Sequence, residues 1–525
     1  MRIRPIVAVL LMTVLPVLAS AAELNVPADF ATIQGAIDAA VDGDSVVVAA
    51  GTYSETIDFL GKSITVVGAA GAEMTTIDGS GVLASVVAFT SGEGANAILD
   101  GFTIQGGSGV VGSPVQDRAG GGLYGFGASP TLRNLRVVGN TASGRGGGAF
   151  FWGVSGTLAI ESCQFEDNVA GGGAGLWVEG SGACVVTDSS ISDNSSTGGL
   201  AGLVAPIASF SMTDSELSRN ATTDENLAYA GGMWLGNPLT YGNQNTVATF
   251  LRTELDENFC SFAGGCFVAL RADVSFEECT FRGNVANAHA VGLVDFSTVH
   301  FERCLIAGNL VPSTVTGLVG VSINGFGVTF DQCTITENTG EPLLSGPGLV
   351  IRNSIVWNNE STVVSSGTGF EATVDYSTVA GGHPGVGNLE VDPLFLAPAS
   401  GDFRLSSASP CIDAGDPAAG TDPDGTNIEM GAFYFDQTVA MFGRGDTNVD
   451  GQLDIGDGIA VLSGLFGSYV ILCESAADAN DDGIVTIADA VYLFSYQLLD
   501  GPPPPAPGSC DSDPTPDALD CLQGC

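Results

Sequence analysis

Lysine is almost missing from this sequence. Lys62 is the single one in 525 residues, and the chain sets 15 basic side chains against 59 acidic ones, a formal charge of −44. A field of that sign repels nucleic acid and anionic lipid, so no nucleic-acid partner is expected. It suits calcium or a saline medium, and it keeps a long β surface soluble. A polyanionic substrate fits only if cations bridge it. Histidine is scarce as well: His289, His300 and His383 are isolated, with no visible catalytic partner. Two longer patterns are also absent. No stretch carries the helical apolar period of leucine-rich or ankyrin-type repeats. After residue 22 no apolar run is long enough to span a membrane.

What the chain has instead is one asparagine that keeps returning. It stands at Asn140, Asn168, Asn194, Asn220, Asn258, Asn284, Asn309, Asn338 and Asn359, at intervals of 28, 26, 26, 38, 26, 25, 29 and 21 residues. The phrases that lead to it read CQFEDN, SSISDN, SELSRN, TELDEN, CTFRGN, CLIAGN and CTITEN. A period in this range marks a solenoid, in which each repeat buries its face against its neighbours. The strings VTDSSI, FEECTF, FERCLI and FDQCTI alternate apolar and polar residues, so the unit is β. Stacked coils place parallel strands ~4.8 Å apart. Asparagine tolerates a left-handed turn and bonds its own backbone, and stacked amides can donate from coil to coil. The pattern resembles the right-handed parallel β-helix of the pectate-lyase-like superfamily, with its internal asparagine ladder. That resemblance implies a mainly β fold over residues 23–435, and it carries fold better than function.

Residues 1–22 read as a secretory leader. Arg2 and Arg4 precede IVAVLLMTVLPVLA and the small residues Ala19 to Ala22. A secreted or cell-surface location follows. An amphipathic helix is expected at about Ile33–Val41, with Asp29 or Thr32 as its cap and Asp42-Gly43 at its end. It would cover the first coil, whose strand edge is otherwise open. After each asparagine phrase a glycine introduces a second strand: GAFFW, GLWV, GLVA, GMWL, GCFV, GLVD, GLVG. Counting from those glycines, an outward row is expected at Phe150, Trp177, Val204, Trp234, Phe267, Val294 and Val319. Phe150, Trp177, Trp234 and Phe267 would form a sugar-binding strip, joined by Tyr229 and Tyr241 of an insertion at 222–245; covered packing competes with that reading. The terminal coils carry DPDGTNIEMGAF, where Asp422, Asp424 and Asn427 either hold a cation or make a plain turn.

Twelve cysteines in an exported chain permit disulfides. Cys163, Cys279, Cys304 and Cys333 share one register, where parallel neighbours make poor disulfides, so buried thiols are expected. Cys260 and Cys266 could bridge a turn, and Cys473, Cys510, Cys521 and Cys525 would staple a small tail.

After Phe435 the pattern changes. Asp446, Asn448, Asp450, Gln452, Asp454 and Asp457 occupy the ligand positions of a twelve-residue calcium loop, with Gly451 at its sharp turn. Asp478, Asn480, Asp482, Ile484, Thr486 and Asp489 repeat it 32 residues later. Gln452 and Ile484 would contribute backbone carbonyls. Each loop leads into a short apolar helix. Two copies with a final Asp and a following helix resemble a type I dockerin, which implies a small α-helical EF-hand-like domain at 436–500 that binds Ca2+, before a Pro/Cys-rich tail at 501–525. Dockerins that bind cohesins often carry Ser/Thr pairs at loop positions ten and eleven. Ile455-Gly456 and Ile487-Ala488 stand there, which leaves calcium binding intact and puts a cohesin-like partner in question.

Catalytic candidates are thin. Asp167 and Asp193 precede successive ladder asparagines and share that register with Glu257 and Glu337, while Gly139, Arg219, Gly283 and Gly308 break the row. A carboxylate pair there could do acid–base work, or form a solvated turn face. Two functions follow. One is an exported β-helix protein that binds polysaccharide or a surface partner. The other is a polysaccharide lyase or O-glycosyl hydrolase tethered by its dockerin.

Overall fold

A computed structural model describes residues 21–112, 115–200, 202–222, 229–236, 245–312, 319–321, 327–340, 344–345, 348–361, 372–437, 442–467 and 469–508, with 519 and 521. The leader, apart from residues 21 and 22, lies outside them, as do Tyr241, Cys510 and Cys525. The chain divides into two compact units, 1–190 and 191–525.

The first unit opens with a helix, Ile33–Ala39, which buries Ile33, Ala36 and Ile37. Thr32 caps it through its hydroxyl, 3.1 Å from the Gly35 amide, and the Glu55 carboxylate takes the Ile33 and Gln34 amides. Asp29 is occupied elsewhere, accepting from Asn25. Parallel strands then stack coil on coil. Glu23–Val26, Ser45–Val48, Thr65–Gly68, Ile98–Asp100, Thr131–Arg133, Thr157–Glu161 and Leu176–Thr187 form one stack. Gly51–Tyr53 through Gln164–Glu166 form a second.

The second unit continues in the same manner. One stack runs from Ile207–Thr213 through Thr246–Leu251, Ala272–Glu277, Thr298–Glu302 and Gly327–Asp331 to Leu349–Arg352 and Thr373–Asp375. Its inward residues include a phenylalanine column, Phe210, Phe250, Phe276, Phe301 and Phe330, with ring centroids 5.6, 4.8, 5.1 and 4.6 Å apart. Five aromatic rings at coil spacing fill the core with dispersion contacts and no polar atom.

The asparagines form the expected ladder inside each unit. In each, the backbone N–H and the side-chain amide both donate to the next carboxamide oxygen: Asn140 to Asn168 at 3.0 and 3.2 Å, and Asn258 to Asn284 at 3.0 and 3.1 Å. The second unit carries the run unbroken from Asn194 to Asn359. The ladder also explains the glycine that precedes several of the following strands, Gly148, Gly202 and Gly232. A Cβ on Gly232 would lie 2.4 Å from the Cys266 carbonyl oxygen and 3.1 Å from the Asn258 amide carbon; Gly148 meets Asn168 in the same way. No side chain fits where coil backbone and ladder amide converge.

Cys163, Cys184, Cys279, Cys304 and Cys333 are buried free thiols. Cys260 and Cys266 are also free and buried, so they do not bridge a turn. Cys473 is paired with Cys521. Beyond the coils, a hairpin of Phe395–Ala397 and Asp402–Leu405 seats Phe403 against Leu305 and Ala307. The C-terminal segment holds helices Ile455–Phe466, Glu474–Ala477 and Ile487–Leu499 around Val461, Ala477, Ala479, Ala490 and Leu493. Among the described residues no helix is long and apolar enough to cross a membrane.

Candidate functional site

Outward positions on the principal stack of the second unit fall into rows, because side chains of one strand alternate between faces. Ser211, Thr249, Ser275, His300 and Thr329 are partners on successive strands. Beside them Val247, Asp273, Thr298 and Gly327 form a second row. Thr249, Ser275, His300 and Thr329 of the first row and all four of the second line an open furrow of about 340 Å3. Aliphatic residues, Val247 among them, line it together with the hydroxyls of Thr249, Ser275, Thr298 and Thr329, one imidazole and one carboxylate; Thr298 donates to Asp273 at 2.6 Å. A third row, Glu277, Glu302, Asp331 and Arg352, borders it. Arg303 joins that border, bonding Glu277, Glu302 and Glu278. His300 Nε2 lies 3.5 Å from Glu302, so this histidine is not isolated. The alternation of apolar and polar residues is written in the strands Thr246–Leu251 and Ala272–Glu277, but the rows exist only once coil registers are known.

The aromatic row does not form an exposed strip. Phe150 is 0 %, Trp177 7 %, Trp234 8 % and Phe267 0 % exposed. The Arg145 guanidinium covers Trp177 at 4.4 Å, and Tyr229 meets Trp234 edge-on. Phe267 is also out of register: Met233 pairs with Phe267, and Trp234 with Val268. Cys266 stands between Gly265 and the residue that pairs with Met233, so the register runs one residue later relative to the glycine than at Gly232. A one-residue slip sends a side chain to the other face, and Phe267 therefore packs inward on Phe276 and Phe301.

Asp167 belongs to the first unit and Asp193 to the second; both are exposed. They share a conformation with the rest of their row. Asp167, Asp193, Arg219, Glu257 and Glu337 have φ of 52°, 58°, 52°, 55° and 57°, and Gly139, Gly283 and Gly308 are likewise left-handed. The position is a one-residue corner before the ladder asparagine. Asp, Gly and Asn tolerate it best. Asp193 is engaged by Arg219 at 3.1 Å.

A different carboxylate has an unusual setting. Asp256 lies two residues along the same strand from Glu254, which pairs with Glu216. Burial pushes its acid up to about 6, against the Arg282 backbone amide that donates to it at 2.8 Å. The Arg282 guanidinium turns to the Gly401 carbonyl of the hairpin, and its Nε is buried without an acceptor.

With this geometry in view, comparisons assign the architecture. Residues 69–247 and 264–387 match the family described as right handed beta helix region. The chain belongs to that family. Among solved structures, the β-helix is similar to pectate lyase Pel9A (16 % identity, 76 % of this chain and 90 % of that one, TM-score 0.40). It is also similar to the mannuronan C-5 epimerase AlgE6 A-module of Azotobacter vinelandii (16 % identity, 69 % and 95 % covered, TM-score 0.31). The catalytic domain of a GH87 α-1,3-glucanase follows at 13 % identity, 67 % and 68 % covered, TM-score 0.36. No curated protein sequence is significantly similar to the chain.

After the β-helix, the two acidic loops share most of their hydrogen bonds; the side-chain oxygen of Asn448 accepts from the Asp450 amide, while that of Asn480 has no donor. Asp446 accepts from the Asp450 and Gly451 amides at 3.1 and 2.9 Å; Asp478 accepts from Asp482 and Gly483 at 3.1 and 2.8 Å. Asn448 and Asn480 each donate to the carboxylate at the loop's fifth position, Asp450 and Asp482, at 3.0 Å. Asp457 accepts from Asn448 and Asp454, as Asp489 does from Asn480 and Thr486. Both helices that follow start with a capping box, Asp454/Asp457 and Thr486/Asp489. Burial raises the Asp457 acid to about 6, and that of Asp489 in the same direction. Among the described residues no three His, Cys, Asp or Glu side chains are already drawn together as a metal cluster. The residue that ties the loops together was missed in the sequence. Arg444, fully buried, bonds the Ser475, Asp478 and Ala506 carbonyls and pairs with Asp481 at 2.9 Å.

Proposed function

We propose that this β-helix is an exported surface protein that binds an uncharged polysaccharide along the furrow of the second unit. The observation that carries it is the line Ser211, Thr249, Ser275, His300, Thr329, one hydrogen-bonding side chain per coil on an open face. Coils stack at ~4.8 Å, close to half the length of a disaccharide, so a regular sugar chain meets a partner at each coil. The net charge of −44 disfavours an acidic glycan. Retention should therefore be read with neutral polysaccharides in affinity electrophoresis. Ser275→Trp, which fills the furrow, is expected to abolish it while melting is preserved. Trp177→Ala with Trp234→Ala should lower stability and leave retention alone. Retention unchanged in Ser275→Trp rejects the reading.

The proposal extends to the C-terminal module, read as dockerin-like and folded by two Ca2+. Its donor set suits that ion: oxygens only, with Asp457 and Asp489 buried and the Asn480 carbonyl oxygen buried without a donor. Asp446, Asp450 and Asp457 would hold one ion with Asn448 and the Gln452 carbonyl; Asp478, Asp482 and Asp489 the other, with Asn480 and the Ile484 carbonyl. Ile455 and Ile487 are exposed where cohesin-binding dockerins carry hydroxyls, which fits an apolar contact with a surface protein.

One observation favours the enzymatic reading, a polysaccharide lyase or glycoside hydrolase. Asp256, with its raised acid, stands beside Glu254 and Arg282, the arrangement of a protonated acid near a cation. A screen of acidic and neutral polysaccharides, with and without calcium, tests it. Turnover lost in Asp256→Asn would favour cleavage over binding.

A further inference from the structure

Glu429 is 1 % exposed, and neither of its carboxylate oxygens has a hydrogen-bond donor. It lies where residues 411–431 fold back on the last coils: Met430 N–H donates to the Cys411 carbonyl, Gly415 N–H to that of Ile428, and Gly431 N–H to that of Asn353. The Glu429 carboxylate meets that of Asp422, whose Oδ2 is also buried and without a donor, and Asp413 adds a third negative charge to the field. Among the described residues no lysine or arginine is ion-paired with them. The neighbours suggested by the sequence turn away. Asp424 accepts from the Thr426 and Gln437 amides, and Asn427 donates to the Asp413 and Gly415 carbonyls.

A buried carboxylate needs donors, a proton or a cation. Three orphan oxygens converge here, and one shared proton joins only two of them. We propose that Glu429 and Asp422 bind a Ca2+ ion that fastens the segment 411–431 to the end of the β-helix. The donors are all oxygen, which selects a hard cation over zinc or copper. Two carboxylates leave positions for neutral oxygens or water, as calcium accepts. This site is separate from the two loops at 446–489 and does not depend on them.

The test uses the full chain, freed of metal by a chelator and returned to CaCl2. Hydrogen exchange should slow across 411–431, and equilibrium dialysis should count one more bound Ca2+ in the wild type than in Glu429→Gln or Asp422→Asn. Exchange at 411–431 unchanged by calcium overturns the site. So does equal calcium stoichiometry in the wild type and the folded variants, which would mean a carboxylic-acid pair sharing a proton. If one variant fails to fold, the other and the wild-type exchange measurement decide.

Discussion

At the scale of residues, the ladder asparagines have a role that no other side chain can fill. Asn284 donates to the Leu255 carbonyl at 2.7 Å and to Asn309 at 2.9 Å, while its oxygen accepts twice from Asn258. Asn284→Leu leaves buried donors and acceptors unmatched. A loss of about 2–3 kcal/mol in denaturant unfolding is expected. Asn359, half-buried at the end of the run, should cost less. Asp256 offers a pH signature. Its folded acid, about 6, lies above the ordinary carboxylate value, so the folded state holds its proton more tightly. The stability it contributes is present at low pH and is lost as pH rises from about 4 through 6. Asp256→Asn keeps an acceptor for the Arg282 amide. It should match the wild type near pH 4 and exceed it at pH 8, by on the order of 1 kcal/mol. Equal melting curves at both pH values would reject that assignment.

Among the elements, corners and registers decide which residues reach the surface. Asp167 and Asp193 draw attention in the sequence as repeated acids, yet the backbone there turns left-handed, and that conformation accounts for Asp, Gly and Asn at the site. Phe267 shows the opposite case. It looks like one more member of an aromatic row, but Phe267 pairs with Met233 and not with Trp234, so its register relative to the preceding glycine is one residue off. Phe267→Ala should therefore behave as a core truncation, costing about 3–5 kcal/mol, and glycan retention should not change. A cost near zero would return Phe267 to the surface.

On the scale of the whole molecule, the charge of −44 and the acidic loops make a dependence on ions the expected consequence of the proposed calcium module. Loop carboxylates repel one another, and a cation that draws them together contributes its binding energy to folding. Chelation of the full chain should reduce the helical signal in far-UV circular dichroism while the β signal remains; calcium should restore it. Asp457→Ala together with Asp489→Ala should remove that response. A helical signal indifferent to calcium would reject the two-ion module.

The sequence by itself determined the repeat unit, the coil stack, the ladder and the two matched loops. Each of these rests on local alternation, on a fixed period or on the spacing of oxygen-bearing side chains within twelve residues, and such patterns are written along the chain. Tertiary structure alone decided the rest. The furrow needs the register of strands from Thr246–Leu251 to Gly327–Asp331, which turns a scatter of Ser, Thr and His into rows. Arg444 finds its carbonyl partners more than thirty residues away, and Glu429 loses its solvent only when the last segment folds back onto Asn353. Burial and charge depend on which distant segments close over a side chain, and no period in the sequence records that.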